Sequence, residues 1–263
     1  MVIILALAFG LILFSALSIA VAPVESLVDM RRTEVLRNDM AAIMVAMDNR
    51  YAENPTGGYL SPATLQTVPG YEHLRFLDPI RFQFQYVPNL NDGVWLFNRA
   101  ALWFESPNDS VGTASYVLPA NNTCGTGAFT DGTEWCGREQ SLWAKLENKT
   151  DFSSLLMAEK LRLTRTMRKF YQRYTKDQTF TTLANGQYAT LAGLVGYAGT
   201  AANCGGVFVY NEIPFGCEDL FNYWGIPIVV NRLTANNIVL VNRTLVASSS
   251  GQQVRLAEEA KLE

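Results

Sequence analysis

The apolar and polar positions of this chain change their rhythm several times, and each change predicts an element. From Met1 to Val24 the run MVIILALAFGLILFSALSIAVAPV carries no charge, and only Gly10, Ser15, Ser18 and Pro23 interrupt its apolar character. As an α-helix it would extend about 35 Å, enough to cross a hydrocarbon core of about 30 Å. The pattern predicts a transmembrane helix over 1–24. Ala6, Gly10, Ala16 and Ala20 form two pairs spaced by four, where small side chains let another membrane helix pack closely. A cleaved signal peptide competes, because Ala20-Val21-Ala22 forms an A-x-A pattern. The missing basic start, the long apolar part and Pro23 directly after the cut favour retention.

Beyond Pro23 the period becomes helical and amphipathic. Leu27, Leu36, Met40, Ile43, Met44, Met47 and Tyr51 recur at three- and four-residue steps, predicting a helix that kinks at Pro23 and runs to about Ala52. Asn54-Pro55 and Gly57-Gly58 end it. Strict alternation over Arg81–Val87 predicts a half-buried strand, and Val94–Phe104 and Ser115–Leu118 predict two more, separated by Asn91-Asp92-Gly93 and the polar stretch Ser106–Gly112. A second helix is predicted over Ser154–Thr175, with Leu156, Leu163, Met167, Phe170 and Tyr174 on one face. Strands follow over Gly206–Tyr210, Pro227–Leu233 and Ile238–Val246, the last two joined by a turn at Thr234-Ala235-Asn236-Asn237. The polar tail from Ser248, ending in AEEAKLE, reads as a short helix or disorder.

The fold class that follows is α+β: a long N-terminal membrane-spanning helix continuing into an amphipathic helix packed on antiparallel sheet, then a second helix-plus-sheet module. The expected division is 1–24 transmembrane, 25–150 first module, 151–247 second module and 248–263 tail. Two segments, LRNDMAAIMVAMDNRYAENPTGGYLSPATLQTVPGY and LRLTRTMRKFYQRYTKDQTFTTLANGQYATLAGLVGY, share an Arg-Tyr helix end, an Ala-Thr-Leu and a Gly-Tyr, which suggests a duplication.

Cysteines change this picture most. Cys124 and Cys136, and Cys204 and Cys217, flank two Gly-bearing loops, and closing each would stabilise by roughly 3 kcal/mol. Zinc binding lacks the C-x2-C spacing and has only His73 to add. Two local disulfides are expected, placing the domain in an oxidising compartment such as the periplasm or the cell exterior. Arg31, Arg32 and Arg37 just beyond the apolar run argue for the opposite orientation by the positive-inside rule; the cysteine loops outweigh them.

Charge adds one surface. The outer face of the second helix carries Lys160, Arg162, Arg165, Arg168, Lys169, Arg173 and Lys176. Such a face either lies in solvent, its stems covering apolar surface, or docks; Arg162, Arg165, Lys169, Arg173 and Lys176 are the candidates to meet anionic lipid headgroups or an acidic neighbouring subunit. The net charge of -3 and pI near 5.4 argue against nucleic-acid binding. Catalytic signatures are absent from the sequence: no G-x-S-x-G, P-loop or G-x-G-x-x-G is present, and His73 has no cysteine or acid pair beside it. A carboxylate pair is the one catalytic arrangement left open. Four N-x-S/T sequons begin at Asn108, Asn121, Asn148 and Asn242, near chance expectation for an Asn-rich chain.

The apolar span with a proline after about twenty residues, the amphipathic continuation and the stretch RYAENPTGGYLSPATL over 50–65 together resemble type IV pilin-like proteins, in particular the accessory PilM proteins of conjugative pilus systems. The resemblance covers Met1–Leu65. It implies a non-enzymatic, single-pass inner-membrane protein without cofactor, whose extracytoplasmic domain helps build a type IV pilus-like machine through helix packing and contacts with other pilin-like subunits. Two alternatives remain: a structural subunit of another large membrane complex, and a secreted adhesin or glycan binder with Trp95, Trp103, Trp135 and Trp143 as stacking groups.

Overall fold

The computed structural model describes residues 31, 33–77, 82–104, 122–137, 142–177 and 182–261, which fall into two units interleaved along the chain. The first comprises Met1–Gln85, Ala101–Asn121 and Gly137–Leu146; the second comprises Tyr86–Ala100, Asn122–Cys136 and Glu147–Glu263.

In the first unit the amphipathic pattern forms helix α1, residues 33–53. Its stripe is buried as spaced: Leu36, Met40, Ile43, Met44 and Met47 join Leu65, Leu74, Phe82, Leu102 and Trp103 among the unit's buried apolar side chains. The helix stops where Pro55 opens a 3-10 turn, Pro55–Gly57, and Gly58 turns the backbone at φ 70°. Tyr51 then stacks on Tyr59, ring centres 4.4 Å apart. One turn of helix, α2 (Pro62–Leu65), follows. Ser61 Oγ accepts from the Thr64 amide, and Pro62 sits at the first helical position, where a missing N–H costs nothing.

Strands β1 (Phe82–Asn91) and β2 (Trp95–Phe104) pair through the turn predicted at 91–93. Asn91 Oδ1 accepts from Gly93 N, and Asp92 Oδ1 accepts from Val94 N and Trp95 N. Strand β3 (Leu142–Glu147) pairs with β2.

The second unit is built on helix α3 (Phe152–Asp177), followed by β4 (Tyr188–Thr190), a turn of helix α4 (Leu191–Leu194), β5 (Val207–Tyr210), β6 (Ile213–Gly216), a turn of helix α5 (Cys217–Leu220), β7 (Val229–Thr234), β8 (Asn237–Ser248) and β9 (Gln253–Lys261). The main sheet runs β1-β2-β8-β7-β4, with β9 on β8; β5 and β6 form a separate hairpin. Antiparallel pairing joins β8 to β2, β7 and β9, and β7 to β4. Leu163, Met167 and Phe170 of α3 pack against Leu191, Phe215, Leu220, Ile228, Val230, Ile238 and Leu240. Each such side chain contributes roughly 1.5–3 kcal/mol by leaving water.

Several expectations are corrected. Among the described residues no helix is long and apolar enough to cross a membrane. The fold class with a membrane-spanning helix, and the single-pass inner-membrane placement built on it, are therefore overturned. The physical reason is that α1 and α3, the long described helices, each give one face to the core and carry charged side chains along their length. The run Met1–Val24, with Ala6, Gly10, Ala16 and Ala20, lies outside the described residues, as does the strand expected at Ser115–Leu118. The polar tail is neither helix nor disorder: Gln253–Lys261 is strand β9, paired along β8 from Asn237↔Lys261 to Ala247↔Gln253. Its alternation is masked in sequence because its half-buried positions include Glu258 as well as Val254 and Leu256.

A candidate interaction surface on the second unit

The cysteines pair as expected, Cys124 with Cys136 and Cys204 with Cys217, at Cα separations of 5.4 and 5.8 Å. Side chains from elsewhere hold the first loop. Asn122 Oδ1 accepts from the amides of Cys124 and Cys136, while its Nδ2 donates to the Gly127 and Glu134 carbonyls. Arg99, wholly buried, donates from its guanidinium to the carbonyls of Phe129, Asp131 and Thr133 and pairs with Glu147 Oε1 at 2.7 Å. Its charge lies 5.4 Å from the ring centre of Phe97 and 5.6 Å from that of Phe129. Phe129 in turn meets buried Trp135 edge to face. A Cβ on Gly132 would stand 1.6 Å from the Asn91 carbonyl oxygen, so only glycine fits. Sequence reading missed Arg99 because a lone arginine in the strand NRAALWF looks like an edge charge; burial in an otherwise apolar run was its only signal. Cys124, Glu134 and Cys136 are grouped closely enough to hold a metal, but the disulfide occupies both sulfurs.

The second cysteine loop is the β5–β6 hairpin itself. Asn211 and Glu212 adopt φ of 48° and 61°, the left-handed geometry of a tight hairpin turn. Phe208, Tyr210, Ile213 and Phe215 face the core cluster, and Val207 and Val209 point outward, 70% and 63% exposed.

The basic residues of α3 divide into two groups. Lys169 Nζ reaches Asp219 Oδ2 at 2.6 Å and the Pro214 carbonyl at 3.1 Å. Arg173 pairs with Glu212 at 3.0 Å, Arg162 bonds Glu159 and the Phe221 carbonyl, and Lys160 bonds Glu258 and the Ala257 carbonyl. These four cations are spent inside the unit, fastening α3 to the hairpin, to α5 and to β9. Arg165 and Arg168 stand exposed, and the side chain of Lys176 lies outside the described residues. A cavity of about 410 Å³ between α3 and the hairpin is lined by Lys169, Gln172, Arg173, Glu212, Ile213 and Pro214; Arg173 pairs with Glu212 in its wall, and Lys169 with Asp219 outside it.

Beneath α3 the polar atoms form a closed network. Glu159, 1% exposed, accepts from Arg162, the Tyr223 amide and Asn242 Nδ2; Asn242 Oδ1 accepts from Asn222 Nδ2. The Asn242 sequon is thus sealed in the core, where no glycan fits. Asp219, 4% exposed, likewise accepts from Thr166, Lys169 and the Gly216 amide. Burial alone would raise the Asp92 carboxyl, but the Trp95 and Val94 amides and the Lys149 ammonium outweigh it and hold it below the ordinary range.

Of the aromatic candidates, Trp103 and Trp135 are buried, and Trp95 packs edge to face on Phe152. His73 is exposed in the 3-10 helix Glu72–Leu77. Besides Tyr188, Val207 and Val209, the second unit turns to solvent a row along α3: Met157, Leu161 and Tyr171, 63%, 57% and 43% exposed, with Arg165 and Arg168 among them. At 100° per residue, positions 157, 161, 168 and 171 fall on one side of the helix.

No family model matches the chain, and neither a curated protein nor a solved structure shows significant similarity to it.

Proposed function

We propose that this chain is a non-enzymatic structural or assembly protein of a type IV pilus-like machine, acting through contacts with other subunits in an oxidising compartment. The observation that carries the reading is the row on α3. Met157 and Leu161, more than half exposed, and Tyr171 beside them stand on a helix pinned underneath by salt bridges and a closed polar network, an arrangement poorly suited to water and well suited to a partner. The surface is rigid, since α3 is tied to β9 by Lys160, to α5 by Lys169 and to the stapled hairpin by Arg173. The two disulfides agree with a domain that folds where thiols are oxidised. The resemblance over Met1–Leu65 supplies the machine, and α1 ends at the Asn54-Pro55 stretch on which that resemblance partly rests.

Deleting the gene in cells that make the protein tests this. Loss of pilus-like surface fibres in electron micrographs is expected, restored by the parent chain and not by Leu161→Glu. Fibres in normal number on the deletion strain would overturn the reading.

A further inference from the structure

The β5–β6 hairpin has one closed edge and one open edge. Across it the pairs are Val207↔Gly216, Phe208↔Phe215, Val209↔Pro214 and Tyr210↔Ile213. Hydrogen-bonded and non-hydrogen-bonded pairs alternate along an antiparallel ladder, and Pro214 has no N–H to give, so the bonded pairs are those of Phe208 and Tyr210. The N–H and C=O groups of Val207 and Val209 therefore point away from β6. By the same alternation Pro214 and Gly216 turn their backbone to the outer edge of β6. That edge is closed: the Pro214 carbonyl accepts from Lys169, and the Gly216 amide donates to Asp219. On the β5 side, among the described residues, no strand pairs with the edge and no turn or loop hydrogen bond reaches Val207 or Val209. Their side chains are 70% and 63% exposed, and residues 205–210 carry none of the charges that guard an edge strand.

We infer that this edge pairs with the same edge of a second copy, β5 against β5, antiparallel about a two-fold axis at Phe208. Self-complementarity selects the occupant. An axis there sets Val207 of each copy opposite Val209 of the other, and both positions turn their backbone outward. Each such pair exchanges two hydrogen bonds, so every open N–H and C=O of the edge finds a partner in one step. The valines fall on the exposed face of the joined sheet beside Pro214, while Phe208 and Tyr210 stay against the core. Other registers do worse. A slip of one residue sets outward backbone against inward, and placing Val207 against Val207, or Val209 against Val209, leaves the other valine facing Gly205 or Asn211. Charge does not oppose the pairing, because Glu212 falls opposite the neutral Cys204 of the other copy and far from its Glu212. Gly205 and Gly206 bring no side chain against the other copy's Asn211 and Tyr210. The same patch serves both copies, so association closes at a dimer. This contact is separate from the α3 row and holds whatever that row meets.

Sedimentation velocity of the purified full-length chain tests it, in non-ionic detergent to mask association through the apolar run Met1–Val24. A pairing of short strands is a small interface, so dimer should appear over a range from about 10 μM to about 1 mM. The double variant Val207→Lys with Val209→Lys should stay monomeric, as should Val207→Glu with Val209→Glu. An equimolar mixture of the two should regain dimer, because each introduced cation then faces an introduced acid. Both positions are exposed, and unchanged circular dichroism shows that the variants fold. Amide exchange read residue by residue should slow at Val207 and Val209 as the parent dimer forms. A parent chain monomeric throughout that range, dimers that persist in both double variants, a mixture that stays monomeric, or amides at 207 and 209 that exchange equally fast in monomer and dimer would overturn the inference. Monomer throughout combined with fibre loss in the deletion strain would reject the strand pairing while leaving the pilus-assembly reading standing; dimer with fibres intact would do the reverse.

Discussion

Arg99 shows what a single buried charge can organise. Removing its guanidinium would take from the Glu147 carboxylate, 7% exposed, its 2.7 Å partner, leaving it the more distant Lys149 ammonium at 3.8 Å, and would free three carbonyls of the first cysteine loop at once. Breaking a buried pair from one side costs about 3–5 kcal/mol. Arg99→Ala should lower unfolding stability in denaturant by that amount. Arg99→Lys should recover only part of it, because an ammonium cannot span Glu147 and three carbonyls as a planar fork does. Equal stability of parent and Arg99→Ala would show that the loop is held by its disulfide alone. None of this was legible in the sequence, where burial of one arginine among strand residues leaves no periodic trace. Glu159 and Asp219 were hidden for the same reason: acids on an amphipathic helix and in a turn read as solvated until the fold closes over them.

At the scale of elements the sequence was most informative where one period ran long. The α1 stripe from Leu36 to Met47 and the α3 stripe of Leu163, Met167 and Phe170 bury as their spacing predicts, and the turn at 234–237 joins β7 to β8. Short or charged strands escaped. β4 has three residues, β3 is half-buried throughout, and β6 is interrupted by Pro214, whose missing N–H is tolerable because the two-stranded sheet needs no further partner on that side. The β5–β6 hairpin depends on its staple. It contributes Ile213 and Phe215 to the core while keeping Val207 and Val209 in water. The paired change Cys204→Ser with Cys217→Ser should lower stability by about 2–4 kcal/mol. Hydrogen exchange should speed up in 204–217 before it does in β7 and β8; uniform acceleration across the sheet would contradict a locally stapled hairpin.

At the scale of the molecule, the second unit buries Arg99, Glu159 and Asp219 in matched networks while Met157, Leu161 and Tyr171 stand outward on α3. Of the five cations read from the sequence as docking candidates, Arg162, Lys169 and Arg173 prove to be internal fasteners, and the outward surface of α3 is more apolar than charge counting suggested. That inversion argues for a protein whose work is to be gripped by another subunit. The most direct measurement is site-specific photo-crosslinking in the producing cell, with the probe at Leu161 and, as control, at exposed His73. Discrete adducts at 161, containing a second copy of this chain or a pilin-like subunit, are predicted, with none at 73. Equal labelling at both positions, or no adduct at 161, would contradict the account.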